Sequence, residues 1–262
     1  MIFRRKRKSE AEETEPEDAV ESTADEDADT DDETDAGAAD AEPNWTALDV
    51  LDWRTEGPWD ISEVDDLEGT DQAPKIDLGS LIVTGVPGSE LRLQVAEETQ
   101  EIVSAMLILE TAVESRSGGA SRNQTYSSAL ELGAYAAPRS GGLWAELREE
   151  ISAAATAQGG SASLREGPFG VELHRFIPVT TPDGDQGYQP SRMWVAEGPR
   201  WLLRGIVYGQ AAVEEDLESP VVTDVLSAFR QVVVRRGDEA MAPGDLLPLR
   251  MPSAVGAGDE NA

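Results

Sequence analysis

Cysteine is missing from this chain, and histidine occurs once, as His174. Without cysteine there is no disulfide, no thiolate nucleophile, no iron–sulfur cluster and no zinc ribbon. A lone histidine leaves Ser-His-Asp chemistry a single position to use and excludes a histidine-rich metal centre. Lysine is scarce as well, since eighteen of the twenty-one basic residues are arginine. No apolar run reaches the roughly 18 residues that a membrane-spanning helix needs. Met1-Ile2-Phe3 stands before a basic cluster, but acidic residues follow where a signal peptide has its apolar segment. These absences predict a cytoplasmic protein with no metal, no cofactor and no transmembrane segment.

Acid is what the chain has in excess. Ser9 to Glu42 is 34 residues long and holds seventeen Asp and Glu with no Lys or Arg. Such a stretch cannot bury enough apolar surface to offset the entropy lost on ordering. Residues 1–42, with the basic cluster Arg4-Arg5-Lys6-Arg7-Lys8 in front, are therefore predicted to be a disordered basic-then-acidic tail. The formal charge is −31, and residues 43–262 carry −19 of it, from 35 acidic and 16 basic residues. Such a surface repels phosphate backbones, so direct nucleic-acid binding is not expected outside the basic cluster. Asn123-Gln124-Thr125 matches a glycosylation sequon and Arg236-Gly237-Asp238 an adhesion tripeptide, and without secretion both are chance matches.

Residues 43–74 form a Trp-containing segment. Trp45, Trp53 and Trp59 sit there among many acids, with Trp45, Leu48 and Leu51 spaced for one helical turn. The segment is expected to dock on the domain, and its three Trp are candidate partner contacts, because aromatics anchor interfaces. Residues 75–252 read as one domain with a C-terminal arm, and 253–262 as a second disordered tail.

Within the domain, Ile76 to Val83 is an apolar run broken by Gly79. Leu91, Leu93 and Val95 alternate with Arg92 and Gln94, the pattern of a half-buried strand. Ile102 to Val113 is a long strand. Arg116 to Ser128, rich in Ser, Gly and Asn, reads as a loop. Alternation resumes at Leu130 and ends at Pro138. A helix follows, with Leu143, Trp144, Leu147, Ile151 and Ala154 on one face, Ser140 or Gly141 as cap, and Gly159-Gly160 as terminator. Gly170 to Val179 is a strand. Arg192 to Ala196 and Trp201 to Tyr208 make a hairpin around Gly198-Pro199-Arg200. A second helix runs from Pro220 to about Arg230, capped by Ser219. Consecutive strands with few helices between them predict an α+β fold, an antiparallel sheet of seven or eight strands with two main helices packed on it.

Several motifs taken together, Gly57-Pro58-Trp59-Asp60, Ile76-Asp77-Leu78-Gly79-Ser80-Leu81, Gly85-Val86-Pro87-Gly88, Ala137-Pro138-Arg139-Ser140-Gly141-Gly142-Leu143-Trp144, Gly167-Pro168-Phe169-Gly170, Gly198-Pro199-Arg200-Trp201 and Asp245-Leu246-Leu247-Pro248-Leu249, resemble an uncharacterised actinobacterial family, a domain of unknown function. The resemblance spans about residues 57–252. It implies a cytoplasmic protein and supplies no activity. The segment Arg116 to Ser128 looks like an insertion relative to the family's spacing. The order of elements is also similar to PsbP-like folds, an architectural likeness that carries no function.

The first helix begins at Arg139-Ser140-Gly141-Gly142. Free amides, the positive end of the helix dipole and one Arg could hold a phosphate or carboxylate there, although most helix starts of this kind are caps. There is no Lys in the motif, and its spacing is not that of a P-loop. Arg175 and Arg204 interrupt apolar strands. An inward Arg needs a carboxylate or a ligand, but alternation puts Arg204 opposite Leu203 and hence on the surface. His174 has no nucleophile elbow to serve, and Asp183-Gly184-Asp185-Gln186-Gly187 departs from a calcium loop at its fifth position. The sequence thus predicts a non-catalytic binding or protein-interaction domain with an unnamed protein partner. The alternative is an enzyme or small-anion binder that uses Arg139, Ser140, Gly141 and Gly142 with nearby carboxylates.

Overall fold

The computed structural model describes residues 43–252, apart from 66, 68, 71, 72, 118 and 119. The two predicted tails, 1–42 and 253–262, lie outside the described residues. The described chain opens with a one-turn helix, α1 (Trp45–Asp49), whose Asn44 cap accepts from the Ala47 amide at 3.1 Å. Short strands follow: β1 (Trp59–Asp60), β2 (Gly69–Thr70), β3 (Ala73–Asp77) and β4 (Leu81–Thr84). Next come β5 (Glu90–Val95) and the long hairpin of β6 (Ile102–Ser117) and β7 (Ala120–Ala136). Helix α2 (Leu143–Ala157) leads to β8 (Ser161–Gly167), β9 (Gly170–Thr180), β10 (Gln186–Gly198) and β11 (Trp201–Gly209). The last elements are a single turn, α3 (Gln210–Val213), then α4 (Pro220–Arg230) and β12 (Val233–Val234).

The fold is α+β, and its strands fall into two sheets. Seven strands, in the order β5-β6-β7-β11-β10-β9-β8, pair antiparallel throughout. A smaller sheet runs β1-β12-β4-β3, with β2 hairpinned onto β3. The apolar run Ile76 to Val83, expected to be one strand, is two strands of this sheet. Gly79 turns the chain with φ +91°, a conformation open to glycine, and the Asp77 carboxylate accepts its amide at 2.8 Å. Asp77 then pairs with Ile82.

A second correction concerns Arg116 to Ser128. These residues were expected to be a loop, yet the β6–β7 ladder continues through them to the pair Ser117 with Ala120. Strand β5 leaves β6 at Ile108 and β11 leaves β7 at Ser128, so the hairpin runs on as a two-stranded ribbon. Asn123, Gln124 and Thr125 are exposed there. Of the described side chains in this stretch before Ser128, only Tyr126 packs on the core, so no apolar alternation announces the strand.

The helices cover opposite faces of the large sheet. On one face, α4 sets Val222, Val225, Leu226 and Phe229 against Leu130, Leu132, Leu203 and Val207. The Ser219 hydroxyl caps α4 by accepting the Val222 amide at 3.4 Å, and Pro220 begins the helix. Each of those four side chains stabilises the fold by about 1.5–3 kcal/mol through burial. Phe229 stands at 4.8 Å from Phe169 and 6.0 Å from Trp194, ring centre to ring centre. On the other face, α2 packs Leu143 and Trp144 on Leu173, Met193, Val195, Leu202 and Ile206. Ala155, not Ala154, is the buried residue in its last turn. The C-terminal segment returns across the strands, bridging at Leu246 to Tyr135 and at Leu249 to Gly79 and Ile102, with Leu247 fully buried.

Candidate functional site

The N-terminus of α2 is where the sequence placed an anion. Pro138 ends the strand, Gly141 and Gly142 take φ of +67° and +85°, and Gly142 is the N-cap with no side-chain bond of its own. Neither Ser140 nor Gly141 caps the helix: the Ser140 hydroxyl is exposed and lies 3.5 Å from the Gly141 carbonyl. The cap comes instead from Glu197, at the end of β10. Its carboxylate accepts the Gly142 amide at 2.8 Å and the Trp144 amide at 2.7 Å. Negative charge at a helix N-terminus is favourable for the same reason that a bound anion would be. Arg139 is exposed, and no hydrogen bond joins it to this carboxylate. A free anion at Arg139, Ser140, Gly141 and Gly142 would have to displace Glu197.

Beside this helix end lies a cavity of about 100 Å³, lined by Leu48, Asp52, Trp53, Arg54, Trp144 and Glu197 among others. Pockets that take small molecules usually exceed about 300 Å³. Its outer wall is the N-terminal segment. The Asp49 carboxylate pairs with the buried Arg148 guanidinium on α2, Nη2 to Oδ2 at 2.7 Å. The Trp53 indole lies over Gly170, where a β-carbon would stand 2.7 Å from its Nε1, and that Nε1 donates to the Leu48 carbonyl at 2.8 Å. Trp59 sits half-buried in β1, and Trp45 half-buried in α1. Among its described residues, the large apolar side chains this segment does leave in water are Val50 and Leu51. Arg54 reaches Glu63, Nη2 to Oε1 at 2.9 Å, and stands 5.4 Å over the Trp201 ring. Trp201 in turn donates to Asp60 Oδ2 at 2.7 Å.

His174 belongs to a sealed polar cluster on the α4 face. Glu172 and Arg192 are each 3% exposed. Arg192 Nε lies 3.2 Å from Glu172 Oε1 and 3.3 Å from His174 Nε2, while the Trp194 indole donates to Glu172 Oε2 at 2.7 Å. His174 Nε2 also contacts Glu172 Oε1. A buried ion pair of this kind tolerates no missing member, because the remaining charge would be stranded. Gly167 makes room for it: a β-carbon there would stand 2.5 Å from Glu172 Oε2.

The other candidates separate cleanly. Asp183 to Gly187 is a turn closed by the Thr181 amide on the Asp185 carbonyl at 2.8 Å, with Gly184 at φ +89°. Among the described residues no three of Asp, Glu and His gather as a metal-binding group, and no helix is long and apolar enough to cross a membrane. Arg175 and Arg204 do lie on the face opposite Leu203, but that face is partly roofed by α2, and both are half-buried. Sequence reasoning missed one surface altogether. Register places Phe176 opposite Pro190 and Pro178 opposite Tyr188 at the outer end of the β9–β10 hairpin, all four on one face. Phe176 is 47% exposed and Tyr188 62%. The available signal was two aromatic residues with the parity of His174 and Arg192, each answered across the strands by a proline.

Residues 57–257 match the model of a family described as Protein of unknown function (DUF3710), and the chain belongs to that family. Comparison with curated proteins and with solved structures gave no match. The likeness to PsbP-like folds therefore stays at the level of element order.

Proposed function

We propose that this protein is a non-catalytic, cytoplasmic interaction domain that docks a basic protein partner on the outer end of the β9–β10 hairpin. The observation that carries the reading is the exposed group of Phe176, Pro178 and Tyr188, with the half-buried Pro190 beside them, on one face of that hairpin. Aromatic side chains with an apolar body and little rotamer entropy are the usual anchors of protein interfaces. The turn beside them exposes Asp183 and Asp185, and residues 43–262 carry −19, so a partner with basic groups around an apolar anchor fits both the rim and the overall field.

Edge pairing is a poorer fit. A proline cannot donate to a ladder, so the pairs Pro178 with Tyr188 and Phe176 with Pro190 are not mutually hydrogen-bonded. Pro178 therefore turns its nitrogen to the free edge beyond the end of β8, which blunts strand addition there. The pairing of Glu172 with Arg192 and His174, and of Glu197 with the α2 amides, supports the non-catalytic half of the reading, because these charged groups already serve the fold.

A photo-crosslinking side chain placed at Tyr188 in the native host tests the proposal, with the same group at the exposed Glu150 of α2 as control. The expected result is one adduct at 188, with a protein of net positive charge, absent at 150 and lost in Phe176→Asp. The same adducts at both positions, or none at 188, would refute it.

A further inference from the structure

Three buried side-chain polar atoms stand without a hydrogen-bond partner among the described residues, and two of them share one face of the large sheet. They are Nε of Arg175, of Arg204 and of Arg236. The first two share the α2 face of the sheet. Arg175 pairs across to Ser191 on β10, and Arg204 to Gly133 on β7. Native proteins leave few buried donors unpaired, and a charged one asks for an explanation such as a missing ligand.

The neighbouring side chains hold the two guanidinium groups in place. Gly133 has no side chain, which lets the Tyr135 ring lie flat over it: a β-carbon at 133 would stand 3.2 Å from the Tyr135 hydroxyl. Arg204 stacks on that ring, its Cζ 5.0 Å from the centroid. Stacking uses the face of a guanidinium and leaves its N–H fork free. Glu131 is the carboxylate of the cluster, and it is engaged: the Tyr208 hydroxyl donates to Oε2 at 3.1 Å. From α2 the cluster is flanked by Leu147 and Ile151, while Glu146, Glu149 and Glu150 are turned to solvent. The positive charge of Arg204 and the Tyr208 hydroxyl both act on the Arg175 guanidinium, so the groups stand close together. Burial pulls the Arg175 guanidinium below its ordinary range, and a bound anion would reverse that effect.

We infer that Arg175 and Arg204 form an oxyanion site for a phosphate-class dianion, with the Tyr135 ring as the flat apolar flank against which an attached organic group would rest. Two guanidinium forks against one committed carboxylate leave a local charge of the sign opposite to that of the domain. Bidentate Arg contacts are the standard recognition of phosphate oxygens. The Arg pair lies on the face opposite the Phe176–Tyr188 surface, so its fate and that of the docking proposal are independent.

The test uses the full chain and inorganic phosphate, titrated against chloride at constant ionic strength and followed by thermal melting. Glycerol phosphate and acetate form two further arms, which distinguish a phosphate ester from the free ion and from a carboxylate. The expected result is a saturable rise in midpoint with both phosphates, weakened at least tenfold in affinity in Arg175→Gln and in Arg204→Gln and unchanged in Arg139→Gln at the α2 N-terminus. Arg204→Lys should keep the charge and the fold but lose the fork, and so resemble Arg204→Gln. An independent reading needs no variant: the Nε–H resonances of Arg175 and Arg204 should shift as phosphate is added. No saturable response, a response unchanged in both Gln variants, or a response with those two resonances unmoved would each overturn the assignment.

Discussion

Glu197→Ala should unfold the α2 face at a lower denaturant concentration, by an amount that the geometry bounds. The carboxylate bridges two of the orphan amides at the start of α2, at 2.8 and 2.7 Å, and Gly142 offers no side chain to replace it. Loss of a cap costs about 1 kcal/mol, with a range of roughly 0.5–2. Loss of negative charge at the dipole's positive end adds about 0.3–1 kcal/mol. The combined cost is about 1.5 kcal/mol, below the full sum because the two contributions overlap at the same amides. For a domain of this size that corresponds to a fall of about 3–6 °C in Tm. Glu197→Gln should recover little, since its amide nitrogen faces a donor where the second oxygen stood. Urea unfolding followed by the far-ultraviolet signal gives the free energies, and phosphate added to the Ala variant asks whether the vacated amides take an external anion. A change below about 0.5 kcal/mol, the level of an ordinary surface substitution, would refute the argument that a strand residue caps this helix.

Three further outcomes follow from the packing and the charges. Gly205→Ala places a β-carbon 2.6 Å from the Phe229 ring and 3.0 Å from Leu130, so it should destabilise by about 1–3 kcal/mol, and Phe229→Leu in the same chain should recover part of that loss in urea unfolding. Burial and the neighbouring Glu131 push the Tyr208 hydroxyl up to about 12. A raised folded value means that its contribution to stability is full below the ordinary value near 10 and is lost between about 10 and 12, and Tyr208→Phe should remove the latest step of the tyrosinate absorbance titration. The Arg54 guanidinium holds Glu63 below the usual carboxylate range. That contribution is present above about pH 4.3 and disappears as pH falls through the lower folded value, so Glu63→Gln should flatten the acid side of a stability–pH curve, and an unchanged curve would remove the pair from the account.

How legible all this was in the chain depended on distance. Helix α4 was written locally: Ser219, Pro220 and the stripe from Val222 to Phe229 lie within eleven positions of one another, and each appears in its predicted role. Six of the seven antiparallel strands were legible, as in the alternation of Leu130, Leu132 and Ala134, while β8 was not read. Arg116 to Ser128 was not, because Asn123, Gln124 and Thr125 are exposed in succession and show no apolar period. The cap of α2 was not legible either, since Glu197 stands 55 positions from Gly142 and no local pattern joins them. Arg204 teaches a finer point. Alternation assigned its face correctly, but a face away from the main core is not necessarily water, and a second helix decided what covers it.

The small sheet sets a condition on the order in which the chain can be made. Its central strand, β12, holds β1 on one side and β4 on the other, through Trp59 with Val233 and Ile82 with Val233. A ribosome releases β1, β3 and β4 long before residue 233 exists. Until then β1 has no neighbour, and β4 shows a bare edge along Leu81 and Ile82, residues that end fully buried. Any product of interrupted translation that stops short of Val233 carries that open edge, the feature by which half-made sheets find one another. Completion of the fold is thus a signal that synthesis has passed α4, and the late strand acts as the latch.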